Sequence, residues 1–115
     1  MKINFTEHTI RILIVEIHEA IDAFNAPQLR ERLEAYQDDG VTRFVLDLSE
    51  TPFMDSAGMA VMVSLLKRAR LAGGDVKLVS PKLEGAKRIL HLTKFDRVFD
   101  MADDAQTARG MFTGA

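Results

Sequence analysis

The residues best equipped for chemistry stand together at Asp55-Ser56-Ala57-Gly58-Met59. The Asp55-Ser56 pair at the head of a helical stretch stands where unpaired helix amides make a place that tolerates negative charge. It can also do no more than cap the helix, because the first amides of a helix lack intrahelical partners and Ser and Asp are common caps. A serine nucleophile of the hydrolase type needs Gly-x-Ser-x-Gly and a placed histidine, and here Met54 stands at the first glycine position. His8, His18 and His91 are far apart and have no Cys near them, so they lack the spacing of a metal site. Neither Gly-x-x-x-x-Gly-Lys nor Gly-x-Gly-x-x-Gly occurs, so any nucleotide chemistry belongs to a partner and no cofactor is called for.

The stretch that carries Ser56 has helical length from Ser56 to Ala72. It ends in Lys67, Arg68 and Arg70 before Gly73-Gly74, with cations at the negative end and glycines at the stop. At 100° per residue Val61, Met62, Leu65, Leu66 and Ala69 share the face toward a sheet, whereas Ser56, Ala60, Val63 and Lys67 share the opposite one. An ordinary solvated face would carry more charge near its start. The small, apolar beginning of this face predicts a docking surface with Ser56 at its edge; a helix partly covered by its own loops would look the same. Of the methionines near the motif, Met62 is expected inside and Met59 at the rim, while Phe53 is expected to anchor the core.

The elements that position this helix read as an alternation of strands and helices. Ile3 to Glu7 and Ile10 to Ile17 predict a hairpin rich in β-branched residues. Asn25-Ala26-Pro27 starts a helix, with Asn as a cap, and Leu29, Leu33 and Tyr36 form its apolar stripe up to Asp38-Asp39-Gly40. Phe44 to Leu48 lacks clean alternation and predicts a central strand covered on both faces, followed by a loop through Thr51-Pro52-Phe53. Val76 to Val79 reads as a strand, Leu83 to Leu92 as a helix buried through Leu83, Ala86, Ile89 and Leu90, Val98-Phe99 as a short edge strand, and Asp103 to Phe112 as a closing helix. The order predicts one α/β domain over residues 1–115, with a mixed sheet of four to five strands opening in a hairpin and about four helices.

Length and composition agree with that size. The chain has 115 residues, 47% of them apolar and 28% charged, a balance suited to one globular core. It contains no Cys, which removes disulfides, thiolate metal sites and Cys nucleophiles. The start lacks a signal-peptide pattern, and the longest nearly apolar run, Ala57 to Leu66, is too short to span a bilayer. A soluble, cytoplasmic protein without membrane insertion is expected. The net charge of −2 divides unevenly: residues 1–57 hold 5 Lys and Arg against 11 Asp and Glu, and residues 58–115 hold 10 against 6. The basic residues are spread over several elements without interleaved aromatics, so they read as solvated surface rather than as a nucleic-acid site.

Phe53-Met54-Asp55-Ser56-Ala57-Gly58-Met59, following Val45-Leu46-Asp47-Leu48, resembles the phosphorylation motif of the STAS domains, in particular the bacterial anti-sigma factor antagonists. Ile21-Asp22 before a helix is similar to that family's Gly-x-Leu-Asp loop. The resemblance covers nearly the whole chain. It implies that Ser56 is phosphorylated by an anti-sigma factor with serine kinase activity and a histidine-kinase-type ATPase fold. It further implies that a PP2C-like phosphatase reverses the modification, and that only the unphosphorylated protein binds the anti-sigma factor and frees sigma. On this reading the chain is not an enzyme, and Asp22, lying near Ser56, joins Asp55, Ser56, Ala57, Gly58, Met59, Ala60, Val63 and Lys67 as a candidate partner contact. Glu19 stands where the family usually has Gly, and Ala60 where a second small residue, often Gly, follows the motif. A phosphate would add about −1.5 to −2 charges beside Asp55, with Asp22 and Asp47 in the same acidic half, and the helix N-terminus is expected to tolerate it. The alternative is a STAS subunit of another assembly, such as a lipid-transport ATPase complex or a stress-signalling scaffold. A response-regulator-like aspartyl phosphate at Asp47, ahead of Thr51-Pro52, is disfavoured by the opening hairpin and the missing early acidic pair.

Overall fold

The computed structural model describes residues 1–7 and 11–113. Five strands and four α-helices follow one another as β1 (Ile3–Glu7), β2 (Ile12–Ile17), α1 (Ala26–Asp38), β3 (Arg43–Asp47), α2 (Ser56–Leu71), β4 (Asp75–Val79), α3 (Glu84–Leu92), β5 (Asp100–Ala102) and α4 (Ala105–Thr113). The strands form one sheet in the order of the chain. β1 runs antiparallel to β2, with Ile3 opposite Ile17, and β2 to β5 are parallel neighbours. This is the mixed α/β sheet that the alternating pattern predicts. Ile10 of the expected hairpin, and His8, lie outside the described residues.

Period-two alternation divides the apolar strand residues between two cores. Leu13, Val15, Ile17, Phe44, Leu46, Val76 and Leu78 meet Leu29 and Leu33 of α1, Val61, Met62, Leu65 and Leu66 of α2, and Ala86 and Leu90 of α3. Ile12, Ile14, Val45, Val79 and Ala102 meet Ala108 of α4 on the other face. β3 is therefore covered on both sides, which is why its sequence does not alternate. The total exposed area of 6252 Å² is close to the roughly 6,300 Å² expected for a compact chain of this mass.

Several local expectations are corrected. Asn25 occupies the N-cap of α1, but its side chain makes no capping bond; it turns backward to the preceding loop. The last strand is Asp100–Ala102 rather than Val98-Phe99, because Lys94 in left-handed conformation opens a 3₁₀ turn at Phe95–Arg97, and the amides of Val98 and Phe99 donate back to its Phe95 carbonyl instead of to a strand. Phe99 is then buried below the sheet edge. Leu83 is the exposed N-cap of α3, so that helix is buried through Ala86 and Leu90, with Ile89 half-buried.

Candidate functional site

The head of α2 is assembled from two loops. After β3 the chain tucks Thr51 inside, where its hydroxyl donates to the Ile17 carbonyl at 2.8 Å. Ile21 and Met54 then form an isolated parallel bridge: the Ile21 amide donates to the Phe53 carbonyl and the Asp55 amide donates to the Ile21 carbonyl, each at 3.1 Å. The bridge imposes strand-like alternation. Met54 points in and is fully buried, while Phe53 points out and is 47% exposed. This corrects the expectation that Phe53 anchors the core.

Asp55 is the N-cap of α2. Its Oδ1 accepts from the amides of Ala57 and Gly58 at 2.8 and 3.2 Å, and its Oδ2 accepts from the Ala23 amide at 3.2 Å. One carboxylate thus caps the helix and holds the β2–α1 loop against it. Ser56, the first helical residue, is exposed, and its hydroxyl makes no hydrogen bond among the described residues. The helix N-terminus, expected to tolerate a phosphate on Ser56, already carries the Asp55 carboxylate. The amides best placed to hold an anion already donate to Asp55, so a phosphate on Ser56 would compete with a carboxylate or project outward.

Ala60, Val63 and Lys67 are exposed in line with Ser56, as the wheel predicts, while Val61, Met62, Leu65, Leu66 and Ala69 are buried. Farther along the helix, Val63, Leu66, Lys67, Arg70 and Leu71 line an open groove of about 460 Å³. Ala57 and Met59 are half-buried and pack partly on the core. Gly58, expected among the contacts, is buried instead. A Cβ there would stand 2.8 Å from Ile21 Cγ2 and 2.9 Å from the Ile21 carbonyl oxygen, so glycine lets the two loops approach.

Asp22 braces its own loop. Its Oδ1 accepts from the amides of Phe24 and Asn25 at 2.9 and 3.3 Å, and its own amide donates to Asn25 Oδ1 at 2.9 Å. The Asn25 side-chain amide donates to Glu19 Oε1 and to the Ala20 carbonyl, both at 2.7 Å. Glu19 also accepts from the Lys2 amide, and these two bonds, Lys2 foremost, hold its carboxyl below the ordinary range. The residue that departs from the glycine of the family pattern is therefore a brace for the loop. Asp47 accepts from the Ser49 amide and hydroxyl at 3.0 and 2.6 Å, so its carboxylate serves its own turn. Sequence reasoning missed Phe24, which stands in this loop 97% exposed. Its signal was an aromatic out of phase with both β2 and α1.

Other chemistry has little to work with. Among the described residues no group of three or more His, Asp or Glu side chains is placed to hold a metal ion. His18 lies 3.6 Å from Glu16 and His91 lies 3.4 Å from Asp96, each a separate surface pair. No helix among the described residues is long and apolar enough to cross a membrane.

Comparison with known proteins bears on the same elements. The STAS domain family matches residues 5–108, which takes in both loops, the end of β1 and the whole of β2 to β5. The chain belongs to the STAS domain family. Among its STAS relatives, the anti-sigma-B factor antagonist of Bacillus subtilis is 29% identical over 96 residues, covering 84% of each chain. A crystal structure of an anti-sigma factor antagonist from Mycobacterium paratuberculosis superimposes with a TM-score of 0.83 at 23% identity, over 96% of this chain and 92% of the other. The unphosphorylated form of the antagonist SpoIIAA has a TM-score of 0.78 at 16% identity, covering 98% of this chain and 99% of the other. SpoIIAA has also been solved phosphorylated. The STAS fold accounts for the five-stranded mixed sheet and the four helices.

Proposed function

We propose that this STAS domain is an anti-sigma factor antagonist, a binding module rather than an enzyme, that captures an anti-sigma factor kinase when Ser56 is unmodified and releases it when Ser56 is phosphorylated. The observation that carries the reading is the exposed Ser56 hydroxyl at the head of an outward strip formed with Ala60, Val63 and Lys67. The names of the relatives point the same way, and the existence of SpoIIAA in two phosphorylation states makes a switch on this fold reasonable. A PP2C-like phosphatase would complete the cycle in the cytoplasm.

The switch follows from local physics. Docking on a small apolar strip requires it to shed water. A phosphate adds about −1.5 to −2 charges and three strong acceptor oxygens to its edge, where Asp55 already occupies the nearest amides. An interface that loses about 3 kcal/mol in this way weakens more than a hundredfold. Ser56→Ala should keep the fold and bind the kinase constitutively, and Ser56→Asp should bind less tightly. The test incubates the purified protein with ATP and the anti-sigma factors of the same genome, maps phosphate by mass spectrometry, and measures affinity before and after. Phosphate at Ser56 with loss of affinity is expected; equal affinity of the two forms would overturn the switch. Co-purification with a transport ATPase and no phosphate would favour the other assembly.

A further inference from the structure

We infer that Phe24 is the anchor by which this protein holds its anti-sigma partner, and that the β2–α1 loop is built to present that ring. The inference rests on the function proposed above and adds the residue that decides how tightly the partner is held. The first observation is exposure: Phe24 is 97% exposed, more than any other large apolar residue described. An aromatic residue in solvent on a loose loop can fold back onto neighbouring apolar surface. This one is held away from it.

The loop is held by its own hydrogen bonds. Six consecutive amides, Ile21 to Ala26, all donate: in turn to the Phe53 carbonyl, Asn25 Oδ1, Asp55 Oδ2, Asp22 Oδ1 twice, and the Asp22 carbonyl. Glu19 and the Ala20 carbonyl fix the Asn25 side chain in turn. A segment with every amide committed has little conformational freedom left to lose on binding. A rigidly presented aromatic is the kind of side chain that dominates protein interfaces.

Position supplies the second argument. The Ala23 amide, adjacent to Phe24, donates to the same Asp55 carboxylate that caps α2 next to Ser56. The Asp55 carboxylate and the backbone bridge between Ile21 and Met54 therefore fix the Phe24 loop to the head of the Ser56–Ala60–Val63 strip, and a partner covering Ser56 meets both. Asp22 lies two residues before the ring and accepts from the Phe24 amide, and the Asp55 carboxylate accepts from the Ala23 amide, so two carboxylates are bonded to the backbone next to it. The partner surface that fits is an apolar pocket with a cationic rim, supplied by the anti-sigma factor.

The test compares wild type, Phe24→Ala and Phe24→Tyr against each purified anti-sigma factor of the same genome, by titration calorimetry and by the rate of Ser56 phosphorylation. For the factor that binds wild type, Phe24→Ala should weaken affinity about thirtyfold. It should raise KM for phosphorylation with kcat little changed, and leave the melting temperature unaltered. Phe24→Tyr should recover most of the affinity. If wild type binds and Phe24→Ala binds within twofold of it, the anchor is refuted and the antagonist reading stands. If no anti-sigma factor binds wild type, both fall together. A large drop in the melting temperature of Phe24→Ala would also overturn the inference, because the ring would then serve the fold.

Discussion

Asp55 links stability and recognition within one carboxylate. Losing an N-cap side chain costs about 1 kcal/mol in typical helices. Here the same group also holds the Ala23 amide, so Asp55→Ala releases two elements at once. We expect Asp55→Ala to lower stability by about 1–2 kcal/mol in urea unfolding. Amide exchange at Ala23 and Phe24 should rise in the variant while β3 and β4 remain protected. Asp55→Asn keeps an acceptor oxygen for the cap and removes the charge, so it should restore much of the stability. Unchanged exchange at Ala23 would show that the loop is held by its other bonds alone. The Asp-Ser pair was legible in the sequence because capping has a strong local signature. Phe24 and the buried Gly58 were not, since exposure and close approach depend on how two loops meet, which no window around either residue encodes.

At the scale of elements, α4 is secured by a mixed polar and aromatic contact. Lys77 lies on the α4 face of β4, 9% exposed, with Nζ donating to Asp75 at 2.9 Å and to Asp100 at 2.6 Å and lying 5.1 Å from the centre of the Phe112 ring. Burial works against both charged groups. For Asp75, bonds from Lys77, the Val76 amide and Arg70 outweigh it and hold the carboxyl below its ordinary range; for Lys77, Asp100 and Asp75 outweigh it and raise the ammonium. A depressed carboxyl contributes stability that is fully present above its unfolded pKa and is lost as pH falls through the folded one. Wild type should therefore lose stability as pH drops below the ordinary Asp range, near 4. Lys77→Met should flatten that slope and cost about 1–3 kcal/mol at neutral pH, since Asp75 then retains only Arg70 and the Val76 amide. Chemical denaturation from pH 3 to 7 checks both, and an undiminished slope in the variant would assign the acid sensitivity elsewhere. The sequence announced β4 and α4 but not this contact. A lysine inside a strand reads as an outward residue until the covering helix is known. The misplaced fifth strand has the same cause: Val98-Phe99 has strand composition, and only the 3₁₀ turn and the pairing of Asp100 opposite Lys77 decide where the edge begins.

For the whole molecule, the net charge of −2 conceals an uneven division along the chain. Residues 1–57, with 11 acidic and 5 basic side chains, end at the head of α2, and residues 58–115, with 10 basic and 6 acidic, begin within it. The proposed docking strip runs from Asp55 at the head of α2 toward Lys67 farther along the helix. Arg68 and Arg70 are tied back to Asp38 and Asp75. A nearly neutral sphere would feel little long-range force, but a surface with separated charge orients an approaching partner whose own charges are arranged in the opposite sense. Screening at 1 M salt shortens the reach of such forces to about 3 Å, against about 10 Å at 0.1 M. The association rate with the anti-sigma factor should therefore fall several-fold between those conditions while the dissociation rate changes less. Lys67→Glu should lower the association rate at low salt, leave the high-salt rate near wild type, and change stability by no more than about 0.5 kcal/mol because the residue is exposed. Stopped-flow mixing at a series of salt concentrations measures these quantities. A rate indifferent to salt would mean that the partner is held by Phe24 and the apolar strip alone, with the uneven charge serving solubility.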